Sequence, residues 1–362
     1  MTDYVRYYLR IFVAICKKLN NLILEAILSK GEKMIKEAVD CIDLGTEYCP
    51  CKLAESGQCL ICSQCQGQCF CDCLNWKGVC VYQELYNNGN KAKEGRKTYD
   101  CTVSEVTKYD NKLVMISFKA PHKLVLDLVK PGSYIFIRTD ENNHFDVPIS
   151  IMNSDVENDI ITVVVEVRGI KTNRLLGTKE NQNIVIRGPY WNGVFGLKNI
   201  EAQNNGKTLV MARGIGLAPM MPVIRKLISK GNEVSVVIDR EPFNDNFAEK
   251  FLNEYDVDIK EKVILEKGKL SDYAKVIIKD ALKDGVNYIH LAGADILTYN
   301  TIYYLNELGR NDVLLSCCNN FKMCCGEGIC GACTARFSGH RVKRFCKEQA
   351  DPRAIFEGRR FI

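Results

Sequence analysis

Between Thr98 and about Pro189 the chain alternates short apolar runs with turn residues. DCTVSEVTKY, KLVMISFKA, GSYIFIRT, VPISIM, IITVVVEVR and NIVIRG are rich in Val and Ile. Runs of this length and spacing predict an antiparallel β-barrel over residues 98–200. From Lys207 the period changes. The strand-like runs TLVMAR, EVSVVID and NYIHLAG alternate with the helix-like stretches GIGLAPMMPVIRKLISKG, NDNFAEKFLNEY and DILTYNTIYYLNELG. That alternation predicts a parallel, doubly wound α/β sheet over residues 205–310. In residues 1–40, Leu9, Phe12, Cys16, Leu19, Ile23, Ala26 and Ile27 recur at three- and four-residue steps. They form the single stripe of an amphipathic helix, suited to packing on this protein or a subunit partner. Residues 41–97, ending in the polar linker NNGNKAKEGRK, show no regular period and read as a small metal-held module.

Composition narrows the class. At 362 residues with 46% apolar and 26% charged content, the chain has material for two to three ordinary globular domains. The net charge of +5 is spread among interleaved acids and bases, with no basic stripe carrying aromatics, so nucleic acid is not an expected partner. The 19 cysteines are the exceptional feature: nine fall between Cys49 and Cys80 and seven between Cys317 and Cys346. The N-terminal apolar run is too short and too charged, with Arg6 and Arg10, to predict an export signal or a membrane span. The expected compartment is the reducing cytoplasm, and the thiols are expected to be metal ligands.

Within residues 311–362, Cys325, Cys330, Cys333 and Cys346 stand in the order Cys-x4-Cys-x2-Cys-x12-Cys, the spacing of a plant-type [2Fe–2S] site. Gly326, Gly328 and Gly331 permit the sharp turns such a loop needs. The N-terminal cysteines admit two readings. Cys59, Cys62, Cys65 and Cys69 match a bacterial [4Fe–4S] run, with Phe70 where Pro often follows. Alternatively Cys49 and Cys51, Cys59 and Cys62, Cys71 and Cys73, with Cys80, form paired ligands of a knot; iron–sulfur is favoured over zinc. The turn ARGIGLAP follows a strand and opens a helix, so Gly214 and Gly216 can bring backbone N–H groups to a pyrophosphate. Asp239 ends the next strand and suits a ribose hydroxyl, while Arg240 beside it suits a 2′-phosphate; the choice between NADH and NADPH stays open.

Barrel, nucleotide-binding sheet and C-terminal cysteine loop, in that order over roughly residues 98–350, resemble the ferredoxin-reductase-type electron-transfer subunits, such as that of dihydroorotate dehydrogenase. The resemblance implies FAD on the barrel, NAD(P) on the sheet, and a [2Fe–2S] cluster exchanging electrons with a catalytic partner subunit or a ferredoxin. By position, Pro148, Ile149 and Ser150 match the strand that lies along the flavin, with Val147 in place of the usual arginine. Gly169 and Thr172 match a phosphate turn, where Lys171 or Arg168 would supply the missing charge. Gly188 and Gly193, in GPYWNGVF, loosely match the family's Gly-Pro-x-Gly-Asn-Gly-x-Phe segment. The fold expected is therefore multi-domain: an FAD-type antiparallel β-barrel, a doubly wound nucleotide-binding domain, a [2Fe–2S] loop module and an N-terminal cysteine-rich helical module. The competing expectation is a non-enzymatic metal-binding sensor or scaffold on the same fold that has lost flavin.

Overall fold

The computed structural model describes residues 39–71, 73, 77–109, 112–139 and 146–358. The amphipathic helix expected before residue 40 lies outside them. The first elements belong to the cysteine-rich module: strand β1 (Asp40–Cys41), helix α1 (Lys52–Glu55) and helix α2 (Val81–Asn87). Leu44, Ala54, Cys65, Val81 and Leu85 make its small core.

Six antiparallel strands then close a barrel: β2 (Lys97–Tyr109), β3 (Leu113–Lys119), β4 (Tyr134–Thr139), β5 (Val147–Asp155), β6 (Ile160–Glu166) and β7 (Asn183–Tyr190). Their order around the barrel is β2-β3-β6-β5-β4-β7. All six coincide with the runs read from the sequence. Alternation explains the pleat, since Cys101 and Val103 face inward while Thr102 and Ser104 face water. Helix α3 (His122–Asp127) adds Leu124 and Val125 to the barrel core, and α4 (Ile170–Leu176) follows β6.

The second layer is a six-stranded sheet. It contains β8 (Val194–Phe195), β9 (Lys207–Arg213) and β10 (Glu233–Asp239), with α5 (Leu197–Ala202) and α6 (Met220–Ser229) between them. After α7 (Glu249–Leu252) come β11 (Asp258–Glu261), the hairpin β12 (Leu265–Glu266) and β13 (Lys269–Leu270), and α8 (Asp272–Lys283). Strand β14 (Tyr288–Ala292), helix α9 (Asp295–Glu307) and β15 (Leu314–Cys318) complete it. The order is β11-β10-β9-β14-β15-β8, parallel except for the edge strand β8. Leu209, Val210, Met211 and Ala212 are buried in succession, as a strand covered on both faces requires.

Two helices depart from expectation. Only Glu249–Leu252 of NDNFAEKFLNEY is α-helical, because the Asn246 side chain takes the Ala248 N–H at 3.2 Å and delays the start. Helix α8 has no counterpart in the sequence reading. Ser271 caps it by accepting from Ala274 N at 3.1 Å, and Ala274, Ile278 and Leu282 bury its inner face. The chain ends with the hairpin β16 (Thr334–Arg336) and β17 (Val342–Arg344), then β18 (Glu348–Gln349), which pairs antiparallel with β1. No helix among the described residues is long and apolar enough to cross a membrane.

Candidate functional site

The chain leaves β9 to form β10 on one side, then returns to place β14 on the other, so the strand order reverses between β9 and β14. Crevices at such a reversal, beyond the carboxyl ends of the strands, are where open α/β sheets bind ligands. A cleft of about 490 Å³ opens there, with the barrel as its second wall. From the barrel come Pro148, Ile149 and Ser150 on β5, Glu166 at the end of β6, and Arg168. From the sheet come the turn at Gly216, the turn at Gly293, and Cys318, Asn319 and Asn320 after β15.

The local chemistry explains the shape. A Cβ on Gly216 would fall on the backbone of Ala292 and Gly293, so the two turns touch only because residue 216 lacks a side chain. Asn320 fixes the opposite lip by donating to Gly293 O and to Asp295 Oδ1, each at 2.8 Å. Arg168 pairs with Glu166 at 2.8 Å. At the start of α4, Thr172 Oγ1 accepts from Arg168 N at 2.9 Å and Gly169 N at 3.1 Å, holding this turn shut.

The structure thus gathers Pro148, Ile149, Ser150, Arg168, Gly193 and Gly216 around one cleft. Gly214 opens the same turn with φ +58°. Lys171 instead reaches Asp146 O at 3.5 Å. Gly188 packs on Ile135, away from the cleft lining. Asp239 is 3% exposed, and its carboxylate accepts from Arg213 Nε at 3.0 Å, Ile264 N at 2.8 Å and Glu241 N at 3.1 Å. Val147 is buried in the barrel core. Asp146 beside it pairs with Arg138 at 2.8 Å and Arg187 at 2.9 Å. Burial works to raise that carboxyl, but the two guanidinium groups outweigh it and hold it below the usual range. The sequence reading missed Cys318, Asn319 and Asn320; their signal was position, directly after a strand of the parallel sheet.

The C-terminal cysteines lie on a loop against Arg187 and Tyr190 of β7. The Cys346 sulfur meets those of Cys325 and Cys333, and Cys325 meets Cys330. The β16–β17 hairpin spans the x12 gap and returns Cys346 to the loop. Gly326, at φ +71°, presses on the Tyr190 ring where any Cβ would collide. Contact with Cys346 is the largest influence on Cys325, which burial opposes and backbone N–H groups of Cys330 and Glu327 assist; its thiol is lowered to about 4. Cys333 is lowered to about 7 for the same first reason, and Cys346 is raised in compensation. Arg187 donates to Cys325 O at 3.2 Å, tying the loop to β7. Cys324 is exposed and outside this group.

The N-terminal module docks on this loop. Arg96 Nη2 donates to Asp43 Oδ1 at 2.5 Å and Arg96 Nη1 to Glu327 Oε2 at 3.0 Å. Lys347 donates to the same Asp43 and, at 2.7 Å, to Glu327. Arg96, Asp43 and Lys347 side chains are at most 1% exposed. Arg96 also lies over the rings of Tyr48 and Tyr190, at 4.3 and 4.6 Å. Of the cysteines expected as ligands here, Cys49, Cys51 and Cys59 line an interior cavity, and Cys62 contacts Cys65. Cys71 and Cys73 are exposed, and Cys80 Sγ caps α2 by accepting from Gln83 N at 3.5 Å. Among the described residues, the C-terminal cysteines included, no group of three or more His, Cys, Asp or Glu side chains stands in an arrangement that holds a single metal ion.

No family model matches the chain. It is 27% identical over 247 residues to the dihydroorotate dehydrogenase B (NAD(+)) electron transfer subunit of Clostridium acetobutylicum, covering 68% of this chain and 91% of that one. The probable subunit of the same name from Archaeoglobus fulgidus is 27% identical over 216 residues, 59% of this chain and 82% of that one. Among solved structures, the NADH-dependent reduced ferredoxin-NADP oxidoreductase, described in connection with flavin-based electron bifurcation, matches with TM-score 0.55 at 20% identity. The match covers 68% of this chain and 85% of that one. This likeness establishes a ferredoxin-reductase-like fold.

Proposed function

We propose that this chain, kin to the ferredoxin-reductase-type electron-transfer subunits, moves electrons between a pyridine nucleotide and a partner subunit or ferredoxin by way of FAD and a [2Fe–2S] cluster. The observation that carries this reading is a single pair of strand neighbours. Ser150, in the cleft, stands in register opposite Tyr134, so both side chains leave the same outer face of the barrel, and Tyr134 lies in electrostatic range of Cys346. Adjacent strands β5 and β4 thus carry a cleft residue and a residue that feels the cysteine loop on one barrel face.

The residues present fit the groups. Gly216 and Gly293 leave bare backbone at the head of the sheet for a nucleotide, and Pro148–Ser150 offer the β5 edge to a flat ring. Arg168 supplies the guanidinium that Val147 does not. At the loop, the Tyr134 hydroxyl is buried with no hydrogen-bond partner, a donor that a cluster sulfur would satisfy. The ligands would be Cys325, Cys330, Cys333 and Cys346. Bound FAD supplies the exchange between hydride and single-electron chemistry, and the cluster supplies one-electron exchange. The protein's own part is positional: it orients ring and nucleotide, excludes water from the wall, and holds the loop. Proton transfer is not asked of it. His290, buried against Ser316 at 2.6 Å, has its pKa lowered by burial to about 3 and stays neutral.

Anaerobically purified protein should show a flavin band that bleaches on adding NADH or NADPH. Iron without flavin would reject this reading in favour of a metal-binding scaffold. Within the cleft, Arg168→Ala should weaken FAD retention about tenfold, the loss of one charge-assisted contact. Unchanged flavin occupancy on gel filtration would remove Arg168 from the pyrophosphate role, leaving Lys171→Ala to show the loss instead.

A further inference from the structure

The module at residues 41–97 has too little core to hold itself. Its own core cluster is Leu44, Ala54, Val81 and Leu85 with Cys65, besides buried Tyr48 and Leu53, and small domains of this kind depend on a disulfide or metal staple. Cys41, Cys49, Cys51 and Cys59 are not joined in disulfides. The thiols are not spread evenly. Cys41, Cys49, Cys51 and Cys59 line one enclosed, otherwise largely apolar cavity, and Cys51 is in electrostatic range of the other three. Cys69, Cys71 and Cys73 are exposed. The charged residue on the lining, Asp43, has its carboxylate taken by Arg96 and Lys347. The donors offered to the cavity are therefore all sulfur, a soft set that selects zinc, copper(I) or iron–sulfur.

We propose that Cys41, Cys49, Cys51 and Cys59 hold an iron–sulfur centre inside this module. Cys41 is the new member, brought in by strand pairing and not by any local cysteine spacing. The four side chains surround a gap and do not meet at a point, which suits an inorganic core of several atoms. The choice of iron over zinc rests on the electron-transfer reading above and on placement. Cys41 pairs with Glu348, two residues beyond Cys346. Chain geometry then limits the Cα separation of Cys41 and Cys346 to about 13 Å. A redox-inert ion gains nothing from lying so close to a one-electron centre.

The test uses the full-length chain, purified anaerobically and assayed for iron, zinc, acid-labile sulfide and electron paramagnetic resonance after reduction. Iron and sulfide should exceed the content of one [2Fe–2S] cluster. Cys41→Ser and Cys59→Ser should each lose the excess and its signal while keeping the flavin band and the C-terminal signal. Cys71→Ser should keep everything. Zinc in place of the excess iron, or full iron in both Cys41→Ser and Cys59→Ser, overturns the assignment. The retained flavin band separates loss of the centre from loss of fold. Absence of both flavin and the C-terminal signal in the parent protein would mark failure of the electron-transfer reading instead.

Discussion

Cys330→Ser is expected to abolish the [2Fe–2S] resonance signal and leave flavin content unchanged. Cys330 is exposed at the rim of its loop, whereas Cys333 and Cys346 are 2% exposed, so the change removes a ligand without opening the core. The barrel and the sheet cleft do not depend on it. Reduction of the flavin by NAD(P)H should therefore proceed, while transfer onward to a one-electron acceptor falls more than ~100-fold, beyond the loss typical of outer-shell changes at metal sites. Rapid-mixing spectra read the first step and acceptor reduction reads the second. An unchanged signal would refute the ligand set, and loss of flavin reduction would show that the loop supports the cleft itself.

Asp43→Ala should be strongly destabilising although it lies outside the large apolar cores. It leaves Arg96 and Lys347 buried with one partner carboxylate, Glu327, between them. Removing one member of a buried ion network ordinarily costs about 3–5 kcal/mol, because the remaining charge is not resolvated. Replacing Asp43, Arg96 and Lys347 together by apolar residues of similar size should recover much of that loss. The pH dependence has a defined sign. Burial raises the Asp43 carboxyl, but Lys347 and Arg96 outweigh it and hold it below its ordinary value of 3.8. The stabilisation is then complete above 3.8 and is lost as pH falls through the lower folded value. Denaturant midpoints should converge between parent and Asp43→Ala in strong acid and differ most at neutral pH; a constant difference would reject the linkage.

The barrel was legible because its strands alternate and its turns are marked, and the loop that brings the Cys325, Cys333 and Cys346 sulfurs together was legible in the spacing of its cysteines. The cleft was legible in part. Gly214 and Gly216 carry a local signature, but Asn319 and Asn320 matter only through the strand order, which brings β15 to the same edge as β9. Asp239 looked available from its place at a strand end, but hydrogen bonds from the distant Arg213 and Ile264, and from nearby Glu241, occupy it. Helix α8 was missed although Ser271 and the four-residue apolar steps announce it. The Arg96–Asp43–Glu327–Lys347 network had no sequence signal at all. Asp43 and Glu327 lie 53 and 231 residues from Arg96, so only tertiary structure brings them together.

That network, with the β1–β18 pairing, also settles what kind of appendage the cysteine-rich module is. Mobile carrier domains are held by exposed charges and a flexible tether, so salt loosens them and they visit several docking points. Here Arg96, Asp43 and Lys347 are interior, beside the surface pairs Lys123–Glu47 and Lys198–Asp40, and backbone hydrogen bonds span the joint. Raising ionic strength has no solvent-facing pair to screen between Arg96 and Asp43. The module is thus fixed over the cysteine loop, and on the electron-transfer reading proposed above an acceptor must come to it.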